Sequence, residues 1–264
     1  MFLQEPAITP YDLRFQLFGI PIRVSWTFWL AALVFGYGLA QWMDRELGAA
    51  SLGLLPLLLV WSACLLVSIV IHELGHALAF RRYGIESSIV LYHFGGLAIP
   101  RSSHRDLSVG QLDPKQNIWI SLAGPGAQIV SGLVVATAVK VAGYQLTVFA
   151  IMPGPFHRIP YVMEGEMIDS PGLLALVTFY IFPSILWALL NLIPVMPLDG
   201  GQVLRSLVQL FGGNILDALW ISVIVAAVVG FYGFTNHQTY LGLLFLMLGW
   251  TNYQAIQQSN RMMY

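Results

Sequence analysis

The stretch SIVIHELGHALAFRRYG, Ser68–Gly84, decides the fold, because it places two histidines and a glutamate near the end of a long apolar run. A charged residue at the centre of a membrane helix costs about 2.5–3.5 kcal/mol on insertion scales. His72, Glu73 and His76 bring three ionisable groups into five positions. An inert role for all three would therefore be expensive, and the stretch predicts a functional site on a membrane-spanning helix.

The spacing of these residues is H-E-x-x-H, which indicates a metal site. His72 and His76 lie one helical turn apart on one face, about 5–6 Å between Cβ atoms. Two imidazoles placed so can bind one zinc ion, and Glu73 is then positioned as the base that takes a proton from water. The alternative is a pair of packed, hydrogen-bonded histidines; the spacing and the insertion cost favour the metal.

Composition places the whole chain in lipid. Of 264 residues, 57% are hydrophobic and only 9% are charged, whereas soluble domains carry about 25% charged residues. The net charge of -1 and the absence of a long basic run argue against nucleic-acid binding. The single cysteine, Cys64, excludes an internal disulfide or a cysteine-rich zinc cluster. It lies about 12 Å along the helix from His72, and we expect it to serve in packing.

Six apolar stretches approach the roughly 20 residues that span a bilayer. They are about Trp26–Met43, Leu52–Phe80, Ile118–Val139, Gly172–Ile193, Ile215–Phe234 and Tyr240–Tyr253. The second is over-long and is expected to tilt, to break at Pro56 or to leave the membrane at one end. The sequence thus predicts an all-α polytopic membrane protein with about six transmembrane helices.

Lysine and arginine predict the orientation of this bundle. With the N-terminus inside, the inner segments hold nine of these residues and the outer segments three, so both termini are expected to be cytoplasmic. Two segments lie on that side: Leu13–Ser25 alternates in polarity and is broken by Gly19 and Pro21, and Ser87–Pro100 is rich in β-branched and aromatic residues. They predict short membrane-associated β-strands that pair with each other. The localisation expected is the cell membrane or an organelle membrane.

A catalytic zinc usually takes a third protein ligand, and the sequence offers three candidates. His93 and His104 lie in the cytoplasmic segment, and Asp199 follows the fourth apolar stretch at the same depth as His76. An alternative role for Asp199 is to cap a helix that begins near Gly201.

Asp199 stands within NLIPVMPLDGGQ, Asn191–Gln202. Pro194 and Pro197 remove two backbone donors and prevent a regular helix, while Gly200-Gly201 allow positive φ. Non-helical backbone at membrane depth must be buried in protein or line a cavity. This segment is therefore a suitable place to present a carboxylate to a metal.

The two motifs together, His72-Glu73-Leu74-Gly75-His76 and Asn191-x-x-Pro194-x-x-Pro197-x-Asp199-Gly200, resemble those of the site-2 protease family of intramembrane zinc metalloproteases. The resemblance covers most of the chain and includes SLAGPGAQ, Ser121–Gln128. The family often has asparagine where this chain has Gln128, and no catalytic role is predicted for that residue. The family's PDZ-like and C-terminal regulatory domains are not seen, which indicates a compact member.

The resemblance implies that His72, His76 and Asp199 bind one zinc ion and that Glu73 is the general base. It also implies that Asn191 holds substrate or stabilises the oxyanion; helix-to-helix hydrogen bonding is the alternative for this amide. Four further residues are expected to contact substrate: Gly95, Gly96, Pro194 and Pro197. The two glycines would let an extended peptide approach, with an ordinary tight turn as their alternative.

The function predicted is hydrolysis of a peptide bond in or near a transmembrane segment of a membrane-protein substrate. One alternative is a non-catalytic protein of the same fold that binds a partner helix. Another is a zinc transporter, although helices five and six are nearly devoid of polar residues. The chain is expected to form a single domain, residues 1–264, with a catalytic core at about 52–212. Helices at about 26–43, 215–234 and 240–256 would be peripheral.

Overall fold

The computed structural model describes residues 6–93, 95–101, 112–152 and 160–262. Its helices are α1 Trp26–Leu47, α2 Leu54–Arg82, α3 Pro114–Val141, α4 Val148–Ile151, α5 Pro160–Met163, α6 Pro171–Asn191, α7 Asp199–Leu210, α8 Ile215–Thr235 and α9 Thr239–Met262. Its strands are β1 Leu13–Leu17, β2 Ile20–Val24, β3 Ser87–Tyr92 and β4 Gly95–Pro100. The chain divides into two compact units, one of residues 1–107 and 126–188, the other of 108–125 and 189–264.

Helix α2 is continuous, so of the three alternatives offered for its excess length the break at Pro56 does not occur. Pro56 lies in the first turn, where its missing N–H has no intrahelical partner to lose. The helix ends where Gly84 adopts φ 75°. Backbone N–H groups of Gly84 and Ile85 donate to the carbonyls of Arg81 and Phe80, at 3.0 and 3.1 Å. This Schellman arrangement satisfies the last carbonyls and turns the chain toward β3.

The four strands form one sheet in the order β1-β2-β3-β4. Strands β1 and β2 are antiparallel, β2 and β3 are parallel, and β3 and β4 are antiparallel. Ile22 pairs with Ile89 and Val24 with Leu91, and all four side chains are buried in the core of the first unit. The prediction that the two strand-forming segments pair with each other is confirmed.

The second unit is built on α7, α8 and α9. Helix α8 begins with a capping box, in which the Asn214 side chain accepts from the backbone N–H of Asp217 and the Asp217 carboxylate accepts from the backbone N–H of Asn214. The hydrophobic core of the second unit contains Val195, Ala226, Phe245 and Leu248.

Four helices of the described residues are long and apolar enough to cross a membrane: α2, α3, α6 and α8. They correspond to four of the six predicted spans, and the other two predicted spans also form helices, α1 and α9. The protein is thus a mostly helical integral membrane protein with a small β-sheet.

Close packing of α1 on α2 yields a test of this arrangement. Trp61 of α2 donates from Nε1 to the Ala32 carbonyl at 2.9 Å, and its indole lies so close to Gly36 that a Cβ there would overlap it. We expect Gly36→Ala to lower stability by about 1–3 kcal/mol, the usual cost of overpacking. Unfolding in detergent, followed by circular dichroism, measures this.

Gly38→Ala is the matched control, because a Cβ at Gly38 meets no atom within 4 Å. Alanine favours a helix over glycine by about 1 kcal/mol, so this variant should be as stable as the parent or slightly more so. Equal stability of Gly36→Ala and Gly38→Ala would contradict the packing described for Trp61.

Candidate metal centre

Helix α2 turns both histidines of the H-E-x-x-H motif toward one point. The Nε2 atoms of His72 and His76 lie 3.1 Å apart, and their rings stand edge to face, with centroids 4.8 Å apart and planes 75° apart. Both side chains are buried. Two nitrogen atoms directed at each other within the protein form half of a metal-binding site.

A hydrogen-bonded partner holds the other nitrogen of His72. Its Nδ1 lies 2.8 Å from Oε1 of Gln128 on α3. The Nε2 of Gln128 in turn donates to the Ser68 hydroxyl at 2.9 Å, and that hydroxyl lies 2.9 Å from the hydroxyl of Ser184 on α6. Three helices of the first unit therefore contribute to one buried polar chain that ends at His72.

Glu73 is buried beside these histidines and lies against strand β4. A Cβ on Gly96 would overlap the Glu73 carboxylate and its Cγ, so only glycine leaves room for this side chain. Gly95 has φ 120°, and a Cβ there would lie 3.8 Å from the Trp187 ring. Gly96 thus leaves the space beside β4 that Glu73 occupies, and the approach of a substrate peptide to Gly95 and Gly96 stays a prediction.

Tyr92, at the end of β3, is affected electrostatically by the same carboxylate. Burial, and secondarily the negative charge of Glu73, raise the pKa of Tyr92 to about 12. A tyrosine is already neutral near pH 7, and the raised pKa moves the ionisation of Tyr92 further above that range.

The second unit holds Asp199, and the local fold there corrects two expectations. Helix α7 starts at Asp199, with Leu198 as the cap residue, so Asp199 is not the cap of a helix that begins near Gly201. Gly200 and Gly201 are helical, and neither has positive φ. They are needed for space, because a Cβ on Gly200 would overlap the Leu192 carbonyl and one on Gly201 the backbone of Val195 and Met196.

The segment between α6 and α7 is non-helical, as its two prolines predict. Asn191 is the last residue of α6, Pro194 is half-buried and Pro197 is exposed. The turn is fastened at Met196, whose N–H donates to the Ser222 hydroxyl at 3.1 Å and whose carbonyl accepts from Nδ2 of Asn252 at 2.7 Å. A fastened turn of this kind presents Asp199 from a fixed position.

Two histidines, His93 and His104, are the alternative candidates for the third ligand. His93 is exposed, with Nδ1 3.2 Å from the Thr27 hydroxyl. His104 lies outside the described residues. Cys64, predicted to serve in packing, is buried and lies in the hydrophobic core of the first unit.

The residues of α2 fit a zinc ion. Zinc binds histidine nitrogen at about 2.0–2.1 Å with tetrahedral geometry, which places two ligand nitrogens about 3.4 Å apart. The 3.1 Å between the Nε2 atoms of His72 and His76 is close to that spacing. The Gln128 carbonyl on Nδ1 of His72 matches the outer hydrogen bond that zinc-binding histidines usually make.

These features define a helical membrane protein with a paired-histidine metal site and an adjacent buried carboxylate. The chain belongs to Peptidase family M50, whose model matches residues 60–232. It is 35% identical over 205 residues to a putative zinc metalloprotease of Synechocystis, and 27% identical over 201 residues to a zinc metalloprotease of Methanocaldococcus jannaschii. Each alignment covers 75% of this chain. Zinc is the metal cofactor that the family and the ligand geometry indicate.

The fold agrees with a solved structure, the site-2 protease from Methanocaldococcus jannaschii, at 24% identity and a TM-score of 0.51. That match covers 93% of this chain and 95% of the solved chain. The chain spans less than half the length of the two curated relatives, 44% and 46%.

Sequence reasoning missed Gln128 as part of the site. It lies 56 residues after His72, and because the chain has glutamine where the family often has asparagine, no role was assigned to it. The sequence did offer one signal: burying an amide on a membrane helix is energetically unfavourable unless the amide has hydrogen-bond partners. It is fully buried and contacts His72, Ser68 and the Pro183 carbonyl.

The contact of Gly96 with Glu73 generates a prediction. Gly96→Ala should displace the Glu73 carboxylate without touching either histidine, and we expect overpacking to lower the free energy of unfolding by about 1–3 kcal/mol while zinc content stays at the parent value. Thermal unfolding in detergent and zinc by mass spectrometry measure the two effects. Gly126→Ala, in open space on α3, is the control, and equal stability of both variants would contradict the contact of Gly96 with Glu73.

Proposed function

We propose that this protein is an intramembrane zinc metalloprotease that hydrolyses a peptide bond in or near a transmembrane segment of a membrane-protein substrate. The observation that carries the proposal is the pair of Nε2 atoms, 3.1 Å apart, beside the buried Glu73 on a helix apolar enough to span a bilayer. Membership of Peptidase family M50 and the printed names of its relatives support the same chemistry.

In this proposal His72, His76 and Asp199 hold one zinc ion per chain. The converging Nε2 atoms support the first two. For Asp199 the support is its place in the Asn191–Asp199 motif, at the first residue of α7, behind a turn that Ser222 and Asn252 fasten.

When bound, zinc supplies a Lewis acid that polarises a carbonyl and lowers the pKa of water. Glu73 takes one proton from the water that attacks the scissile carbonyl carbon. When the carbon–nitrogen bond breaks, Glu73 returns the proton to the leaving amine. The carboxylate is buried and bounded by Gly96, which limits its contact with bulk water and keeps it within a small volume.

Substrate binding uses two parts of the chain, the turn between α6 and α7 and strand β4. The Asn191 amide donates a hydrogen bond to the oxyanion or to the substrate backbone, and the turn at Pro194 and Pro197 contacts the substrate chain. Strand β4 is one of the two outer strands of the described sheet, and an unwound substrate adds to it by backbone pairing near Gly95 and Gly96.

The topology proposed is six membrane-spanning helices, with α1 and α9 joining the four that meet the length and hydropathy criteria. Both termini and the sheet then lie on the cytoplasmic side of the cell membrane, as the distribution of lysine and arginine supports. The whole chain acts as one domain with a catalytic core at about residues 52–212.

Glu73→Gln separates an enzyme from a binding protein of the same fold. The variant should keep one zinc per chain but lose cleavage by about 10²–10⁴-fold, the usual contribution of a general base. A co-expressed single-span protein, with both fragments followed by immunoblot and zinc measured on the purified variant, tests this. Full activity in Glu73→Gln would refute Glu73 as the base.

Asp199→Ala tests the third ligand. Loss of a direct ligand should weaken zinc binding more than the 10–100-fold that loss of an outer partner costs, and chelator competition on purified protein measures it. Asp169→Ala, which removes an exposed carboxylate far along the sequence, serves as the matched control. Unchanged zinc affinity in Asp199→Ala would exclude Asp199 from the metal site.

A further inference from the structure

We propose that Gln128 is a positioning residue that fixes the proton of His72 on Nδ1 and so directs an unprotonated Nε2 toward the metal. The inference rests on the proposal that His72 binds zinc through Nε2. It concerns a residue of α3 whose amide oxygen lies 2.8 Å from Nδ1 of His72.

The orientation of the Gln128 amide follows from its partners. Its Nε2 faces the Pro183 carbonyl at 3.5 Å, and a carbonyl only accepts hydrogen bonds. The amide nitrogen must therefore stand on that side, which leaves Oε1 to face Nδ1 of His72 at 2.8 Å. An oxygen acceptor there requires a proton on Nδ1, and a neutral imidazole with that proton has its lone pair on Nε2.

The Ser68 and Ser184 hydroxyls complete the support of the amide. Nε2 of Gln128 donates to the Ser68 hydroxyl at 2.9 Å, and Ser68 and Ser184 share a second hydrogen bond of 2.9 Å. All three side chains are fully buried. Reversing the amide would place its oxygen against the Pro183 carbonyl, so the chain resists the tautomer that would block Nε2.

Helix packing brings these groups within reach. Gly132 lies one turn after Gln128 on α3, and a Cβ there would lie only 3.0 Å from Cβ of Ser184. The close approach of α3 to α6 keeps Pro183 and Ser184 near the amide. The same network also joins helices, so the experiment must separate positioning from interhelical adhesion.

Three substitutions of Gln128 make that separation. Gln128→Glu keeps an acceptor for Nδ1 but loses the donor that faces Ser68 and the Pro183 carbonyl, so the variant removes the interhelical bonds while Ser68 turns its own proton toward the new carboxylate. Gln128→Leu fills the space without an acceptor, and Gln128→Asn keeps the amide but is one methylene too short to reach. Positioning predicts near-parent zinc affinity for Glu, within about threefold, and a loss of about 10–100-fold for Leu and Asn. If Gln128 serves only to join or pack the helices, zinc affinity should instead stay near the parent value in Gln128→Leu and fall in Gln128→Glu. Leucine is tolerated in an apolar interior, whereas a carboxylate is not.

Zinc affinity is measured by chelator competition on the full chain in detergent, and the absorption of the cobalt(II)-loaded protein reports the ligand geometry. Thermal unfolding of the zinc-free variants measures folding separately. Ser62→Ala is the matched control, since this buried hydroxyl of α2 donates to the Leu58 carbonyl away from the site. It should leave zinc affinity unchanged.

Parent-like zinc affinity in folded Gln128→Leu, or weaker binding in Glu than in Leu, would overturn the inference. If Gln128→Leu does not fold, the comparison of Glu with Asn decides in the same way. His72→Ala separates the proposal that His72 binds zinc from the inference that Gln128 positions His72. Zinc retained in His72→Ala refutes the proposed ligand, whereas zinc lost there but kept in Gln128→Leu refutes only the role of Gln128.

Discussion

Hydrocarbon gives no hydrogen bonds, so every imidazole, amide and carboxylate on a spanning helix must find its partner inside the protein. Much of the first unit can be understood from this requirement. Helix α2 carries His72, Glu73 and His76 in an otherwise apolar sequence, and all three are buried. Helices α3 and α6 bring Gln128 and Ser184 to the same level, while the sheet covers Glu73. The polar interior and the surrounding helices are thus parts of one solution to a solvation problem.

Glycine makes that solution possible at several points, through the volume it omits rather than through backbone freedom. Gly96 leaves space for Glu73, Gly132 lets α3 approach α6, and Gly36 receives the Trp61 ring. In the second unit Gly200 and Gly201 let the turn after α6 fold back on the first turn of α7. Each position would meet a neighbour if a methyl group were added, and each lies beside a residue that matters for the site or for helix packing.

Local patterns in the sequence predicted those features that depend on nearby residues. The i, i+4 spacing placed two histidines on one face, the β-branched segments paired as expected, and two prolines kept the segment before Asp199 out of a helix. Features that depend on packing between distant parts of the sequence were not predicted. Gln128 and His72 are 56 residues apart, and nothing in either neighbourhood indicates that they meet. The sequence allowed Gly200 and Gly201 positive φ, whereas tight packing against Leu192, Val195 and Met196 holds both residues in a helix.

The parallel pairing of β2 with β3 has a consequence for biogenesis. The connection between these strands contains all of α1 and α2, so the sheet cannot close until both helices and β3 have been synthesised. Strand β4, which covers Glu73, emerges from the ribosome later still. The histidine pair of α2 is therefore made before the strand that covers the neighbouring carboxylate, and the surroundings of the site are complete only when both parts of the chain are present.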